Sequence, residues 1–136
     1  MPDRLLDTNA ISAAMEASQA FERYLTTTAT DGLLLTSAVV EGELLFGISR
    51  IQDGRRRRAL LRSLNGVLSR LDDILAVDRG TATRYGQLKA RMFAQGEPMG
   101  ENDLWIAASA LDRGLTLVSR DAHFKRVHGL RVEDWH

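Results

Sequence analysis

A chain of 136 residues with 44% hydrophobic and 26% charged side chains has the size and composition of one soluble globular domain, residues 1–136. Eighteen basic side chains balance eighteen acidic ones, so any grip on nucleic acid has to come from local clusters and not from the overall field. The lack of cysteine excludes disulfides, thiolate zinc centres and a cysteine nucleophile; with no apolar run near the roughly eighteen residues of a membrane span, and a first strand too close to Met1 to leave room for a signal peptide, a cytoplasmic location is expected.

Taken in order, Leu5-Leu6 reads as a short buried strand ending in the carboxylate of Asp7. A helix follows at once, with Thr8 or Asn9 as its expected N-cap, and runs from Ile11 to Met15. Ser18 caps a second helix through Phe21, Tyr24 and Leu25, and Asp31-Gly32 turns into a strand at Leu33–Thr36. Ser37 caps a helix in which Val40, Leu44, Gly47 and Ile48 recur at helical spacing. Gly54 opens a long helix with Leu60, Leu61, Leu64, Val67, Leu68 and Leu71 on one side. Ile74–Val77 is a strand, Asp78 starts a helix that Gly96 and Pro98 end, and Gly100–Arg113 is a helix rich in small residues. Leu115–Ser119 is a buried strand and Leu130–Glu133 a short edge strand. Strands that are brief continuous apolar runs, alternating with helices, predict an α/β fold: a parallel sheet with helices on both faces.

Ser119-Arg120-Asp121 repeats the arrangement at Asp7, an acid just beyond the carboxyl end of a buried strand, where open α/β sheets place their ligands. Helices that follow strands begin at that same edge. Asp103 falls in the first turn of one, with Asn102 as its candidate cap, and Glu43 about a turn and a half into another. Glu41 competes with Glu43, but two residues on a helix are about 200° apart, so only one can face the crevice. Val40, Leu44 and Ile48 flank the Glu43–Gly47 stripe, which puts Glu41 on the more exposed side, and Gly47 is expected to let the helix approach a neighbour closely. Two unit charges about 4 Å apart cost about 1 kcal/mol in water and about 4 kcal/mol at an effective dielectric of about 20. Acids gathered this way call for a hard divalent cation, and oxygen ligation without His or Cys favours magnesium, with manganese possible, over zinc.

With these residues in view the chain resembles the PIN domain and, within it, the VapC type of toxin–antitoxin ribonuclease. The matching pieces are Leu6-Asp7-Thr8-Asn9, Ser37-Ala38-Val39 through Glu43-Leu44-Leu45-Phe46-Gly47, Gly100 to Ala108, Leu117-Val118-Ser119-Arg120-Asp121, and the ending Arg126 to Trp135. They span nearly the whole chain in the family's order. The resemblance implies a PIN-like sheet and a magnesium-dependent endoribonuclease leaving 5′-phosphate and 3′-hydroxyl ends. Asp7 and Asp103 match its principal metal-binding acids and Glu43 and Asp121 the other two, while Thr8, Asn9 and Ser119 match its supporting polar positions. Ser119 stands where the family often has Thr, and Asp121 matches the least constant of the four acids. A homodimer, held inactive by a small antitoxin whose C-terminal segment covers the acids, is also implied.

Arg55–Arg58 with Arg62 open the leucine-bearing helix; a solvated charged face is the default reading, with phosphate contact or an antitoxin interface as alternatives. Trp105 lies about 200° from Asp103 and reads as a core or dimer contact before a base-stacking platform. His123 can reach the Asp121 region, although a lone loop histidine is more often structural; His128 and His136 have no ligand-like spacing. Two rival functions are weighed. A magnesium phosphoryl hydrolase with Asp7 as nucleophile would want a second acid at position 9, which is Asn9. A non-catalytic RNA- or protein-binding PIN-like module would have no use for four clustered acids.

Overall fold

The computed structural model describes residues 2–135, which leaves His136 outside the described residues. Its centre is a five-stranded, wholly parallel sheet in the order β3-β2-β1-β4-β5, built from β1 (Arg4–Leu6), β2 (Leu34–Ser37), β3 (Asp73–Leu75), β4 (Thr116–Val118) and β5 (Val132–Glu133). Between them run α1 (Thr8–Met15), α2 (Gln19–Thr27), α3 (Ala38–Ser49), α4 (Gly54–Ser69), α5 (Arg79–Ala94) and α6 (Glu101–Arg113), and a 3-10 turn at Ala122–Arg126 joins β4 to β5. The three central strands are buried along nearly their whole length, as helices on both faces require, and this is why they read as unbroken apolar runs.

The order matters for function. The chain winds from β1 through β2 to β3 on one side, then crosses back to place β4 on the other side of β1. The carboxyl ends of β1 and β4 therefore flank the topological switch point, the crevice where open α/β sheets bind ligands. Register holds this edge: Leu6 pairs with Val118, the Asp7 amide donates to the Val118 carbonyl (3.2 Å), and the Ser119 amide donates to the Glu133 carbonyl (2.9 Å). The buried Thr36 hydroxyl ties β2 to β1 by donating to the Leu6 carbonyl at 2.7 Å.

The helix starts agree with the caps expected at Ser18, Ser37 and Asp78, each of which accepts from an amide in the first turn; Asp78 and Thr81 form a reciprocal capping box. Two expected caps are replaced. Thr8 is already helical, and it is the Asp7 carboxylate that caps α1 by accepting from the Ala10 amide at 3.0 Å. Asn102 lies inside α6, whose N-cap position is Gly100 with no side-chain cap. The strand expected at Ile74–Val77 closes at Leu75, leaving Val77 44% exposed.

One core runs through the sheet and both helical layers, from Leu5, Leu6 and Leu117 to Phe21, Leu64, Met92, Ile106 and Phe124. At full burial each such side chain contributes about 1.5–3 kcal/mol. Beside it, Arg4 is 3% exposed yet satisfied, its guanidinium reaching Glu133 at 2.9 Å and Asp31 at 3.4 Å, while the Tyr24 hydroxyl donates to the same Glu133. Glu133 is held below its ordinary range by Arg4 and Tyr24 against its partial burial. This ion pair joins residues 129 positions apart and clamps the edge strand β5 to β1. Gly32 is required by its turn: it adopts φ of +73°, and a β-carbon there would lie 2.1 Å from the Pro2 carbonyl oxygen.

Candidate active site

Four acids reach the switch-point crevice by three routes. Asp7 and Asp121 end the segments that follow β1 and β4, Asp103 is in the first turn of α6, and Glu43 is in the second turn of α3. Asp7 is 3% exposed, a depth at which a carboxylate is costly. Burial pushes its carboxyl up to about 6; repulsion from Asp103 adds to the rise, and hydrogen bonds from the Ser119 hydroxyl and the Ala10 and Asn9 amides oppose it. Asp103 is raised as well, first by burial, then by the charges of Asp121 and Glu43, with His123 opposing. Each acid is thus felt by another, and they share one field.

Two hydroxyls tether these acids. Thr8 Oγ1 donates to Glu43 Oε1 at 3.0 Å, joining α1 to α3 across the crevice. The Ser119 hydroxyl bonds Asp7 and also accepts from the Asp121 amide at 2.9 Å, so one side chain places both strand-end acids. Asp121 in turn accepts from the His123 amide at 2.9 Å, with the His123 ring 3.5 Å away and mostly exposed. Asn9 is exposed and borders a neighbouring cleft with Asp121.

Glu41 and Glu43 are both half-buried, so burial does not separate them; the Thr8 bond does, and it is Glu43 that joins α1. The expectation for Gly47 fails. The space where its side chain would lie is open, in a stretch of α3 where Leu45, Phe46 and Gly47 are all exposed, Phe46 at 65%. Arg50 covers the Phe46 ring at 5.3 Å. Trp105 is half-buried and stacks flat on Tyr85, with ring centroids 3.7 Å apart, a partnership nothing in the spacing of either residue announces. His128 borders a separate cleft with Arg84 and Arg91. Arg55, Arg56, Arg58 and Arg62 are exposed, whereas Arg57 folds back to donate to the Ile51 carbonyl at 2.7 Å. The Asp53 carboxylate accepts from the Arg55 and Arg56 amides, offsetting the unfavourable placing of cations at a helix start.

Among the described residues no group of three or more His, Cys, Asp or Glu side chains is arranged to hold a metal ion. The donor chemistry still fits a hard cation: a buried carboxyl and a half-buried one, each raised first by burial and further by neighbouring acid charge, with no nitrogen or sulfur donor between them. Two carboxylates are the usual protein share for magnesium, which keeps waters in its remaining positions.

A parallel α/β sheet with acids collected at its switch point defines the class. The family model for the PIN domain matches residues 4–130, and the chain belongs to that family. Within it the chain is of the VapC type. The tRNA(fMet)-specific endonuclease VapC of Shigella flexneri is 39% identical over 105 residues, 76% of each chain. The crystal structure of VapBC2 from Rickettsia felis, bound to a DNA fragment from their promoter, matches with a TM-score of 0.86 at 28% identity and 98% coverage of both chains. That of VapBC-5 from Mycobacterium tuberculosis, a member of the VapBC family of toxin–antitoxin systems, matches with a TM-score of 0.73 at 26% identity, also over 98% of both.

Proposed function

We propose that this protein is a magnesium- or manganese-dependent endoribonuclease, the toxin of a type II toxin–antitoxin pair. The observation that carries the reading is Asp7: a carboxyl 3% exposed, raised to about 6, and set against Asp103 in a crevice where two more acids add to the repulsion. Burying mutually repelling acids destabilises a fold unless a cation or a proton is to occupy the site. Membership of the VapC type and the ribonuclease names of its relatives support RNA as the substrate class.

Asp7 and Asp103 would hold the ion, which supplies a positive charge that polarises a phosphodiester and makes a water more acidic. Glu43, fixed by Thr8, orients the attacking water and takes its proton. Asp121, set by Ser119, supports the same field from the other side of β1. Water attack with departure of the 3′ oxygen leaves 5′-phosphate and 3′-hydroxyl ends. A homodimer, a cognate antitoxin covering the acids and a cytoplasmic location complete the proposal; among the described residues no helix is long and apolar enough to cross a membrane.

The test is cleavage of RNA by the purified protein with magnesium, with manganese and with excess EDTA, beside Asp103→Asn. Cleavage with either ion, abolished by the chelator and by the substitution, is the expected result. Cleavage that persists in EDTA, or tightly bound zinc in elemental analysis, overturns it.

A further inference from the structure

Next to the acids, on the α1 side, lies a cleft of about 490 Å³ whose lining includes Asn9, Ser12, Glu16, Arg120, Asp121 and Trp135. The proposed chemistry makes no use of Arg120. Its guanidinium lies over the Trp135 ring, 4.4 Å from the centroid, and Nε donates to Asp134 at 3.4 Å. Trp135 is itself 2% exposed and braced edge-on by Phe21 at 5.4 Å. The platform beneath Arg120 is therefore rigid, and the side chain has already lost much of the freedom that binding would otherwise cost it. As a surface pair with Asp134 it would add little to stability. A guanidinium has five N–H groups, and the Asp134 bond uses the one on Nε; among the described residues those on the two terminal nitrogens have no hydrogen-bond acceptor and can serve the cleft. Beneath it the Trp135 indole N–H is buried with no acceptor among the described residues.

The geometry points to this cleft as the seat of a backbone phosphate of the RNA strand, adjacent to the phosphate cleaved at the acids, with Arg120 as its principal ligand and the Ser12 hydroxyl and Asn9 amide beside it. The inference rests on the ribonuclease reading above. Glu16 and Asp121 also line the cleft, so a free anion has little reason to settle there. A polymer already held at the acids does, because its next phosphate is carried to the Arg120 side without a separate binding event. A planar fork stacked on an aromatic ring suits a phosphate's paired oxygens better than a lysine would.

Arg120→Met keeps an apolar cover on Trp135 while removing the charge, and Arg120→Lys keeps a charge without the fork. A fluorescein-labelled single-stranded RNA of about twelve nucleotides, titrated with calcium in place of magnesium at several salt concentrations, reads binding at the acids with turnover suppressed. Arg120→Met is expected to weaken binding about tenfold at low salt and to lower the salt slope by about 0.7, the share of one phosphate contact on a single strand. Arg120→Lys is expected to keep the slope and recover part of the affinity. In cleavage assays with magnesium, KM should rise for Arg120→Met with kcat within about twofold of wild type. An unchanged salt slope and KM for Arg120→Met overturn the seat, as does a fall in kcat at unchanged KM. If wild type binds RNA with the expected response to Arg120→Met yet never cleaves with any divalent ion, the seat stands and the nuclease reading falls.

Discussion

Replacing Asp7 with Asn removes one charge from the crevice while keeping a side-chain oxygen to cap α1, since Asn caps about as well as Asp. The folded carboxyl titrates at about 6 against about 3.8 in the unfolded chain, so the fold prefers the protonated form. The stability this group contributes is thus full below about pH 3.8 and is lost as pH rises through about 6. The gap of about 2.2 pH units, at 1.36 kcal/mol each, makes the loss about 3 kcal/mol by pH 7.5. Housing the amide of Asn beside the Ser119 hydroxyl takes back about 1 kcal/mol. In EDTA at pH 7.5 Asp7→Asn should therefore be the more stable protein by about 2 kcal/mol, or about 6 °C in Tm for a chain of this length. The difference should shrink as pH is lowered from 7.5 toward 4. Magnesium should narrow or reverse it, because on the proposed reading the ion would stabilise the wild-type site more than the variant's. Thermal melts of both proteins across pH, in EDTA and in magnesium, decide the matter. A variant that melts below wild type in EDTA at pH 7.5, with a gap indifferent to pH, would show that Asp7 is a structural cap and not a strained site acid.

Three further outcomes are expected. Glu43→Gln should lose most of the cleavage and Glu41→Gln little, because only Glu43 is bonded to Thr8; equal losses in kcat would refute the assignment of faces. Changing the exposed Arg55, Arg58 and Arg62 together to Ala should weaken RNA binding and flatten its salt dependence if they touch phosphates, and an unchanged slope returns them to solvent or a protein partner. Gly32→Ala should destabilise the fold by about 2 kcal/mol, because φ of +73° and a contact of 2.1 Å to backbone leave no room for a β-carbon; denaturant unfolding with an unchanged midpoint would contradict this.

The parts of the fold that follow from local pattern were legible in the chain: three central strands as apolar runs, caps at Ser18, Ser37 and Asp78, and the acids at strand ends. The order of the sheet was not. That β4 lies beside β1, which makes neighbours of Asp7 and Ser119, depends on packing across more than a hundred residues, and so does the Arg4–Glu133 pair. The Asp7 cap was missed because an acid ending a strand and an acid starting a helix look alike when no loop separates the two elements. Its backbone is still extended, while Thr8 has already entered the helix. Gly47 and Asn102 were misjudged for a related reason: residue type suggests what a position permits, and only the neighbouring elements decide whether the permission is used. Arg120 lay in full view within Ser119-Arg120-Asp121, but its significance depends on Trp135 fifteen positions later folding back beneath it.

The two hydroxyls explain how repelling acids can be held in fixed directions. A hydroxyl that donates to a carboxylate lowers the cost of its charge without cancelling it, and both hydroxyls also fix direction. Thr8 secures Glu43 from the first residue of α1, and Ser119 secures Asp7 and Asp121 from the end of β4. Asp103 is different. Among the described residues no group donates a hydrogen bond to its carboxylate, and its rise has no hydrogen-bond contribution to oppose it, only the charge of His123. It is positioned by α6, in whose first turn it lies. The arrangement that follows is one of three tethered acids and one untethered one. On the proposed reading Asp7 and Asp103 would hold the cation, and engaging Asp103 would break no hydrogen bond among the described residues. That is a physical reason for acids that share a field while, among the described residues, no three of them are arranged as a cage.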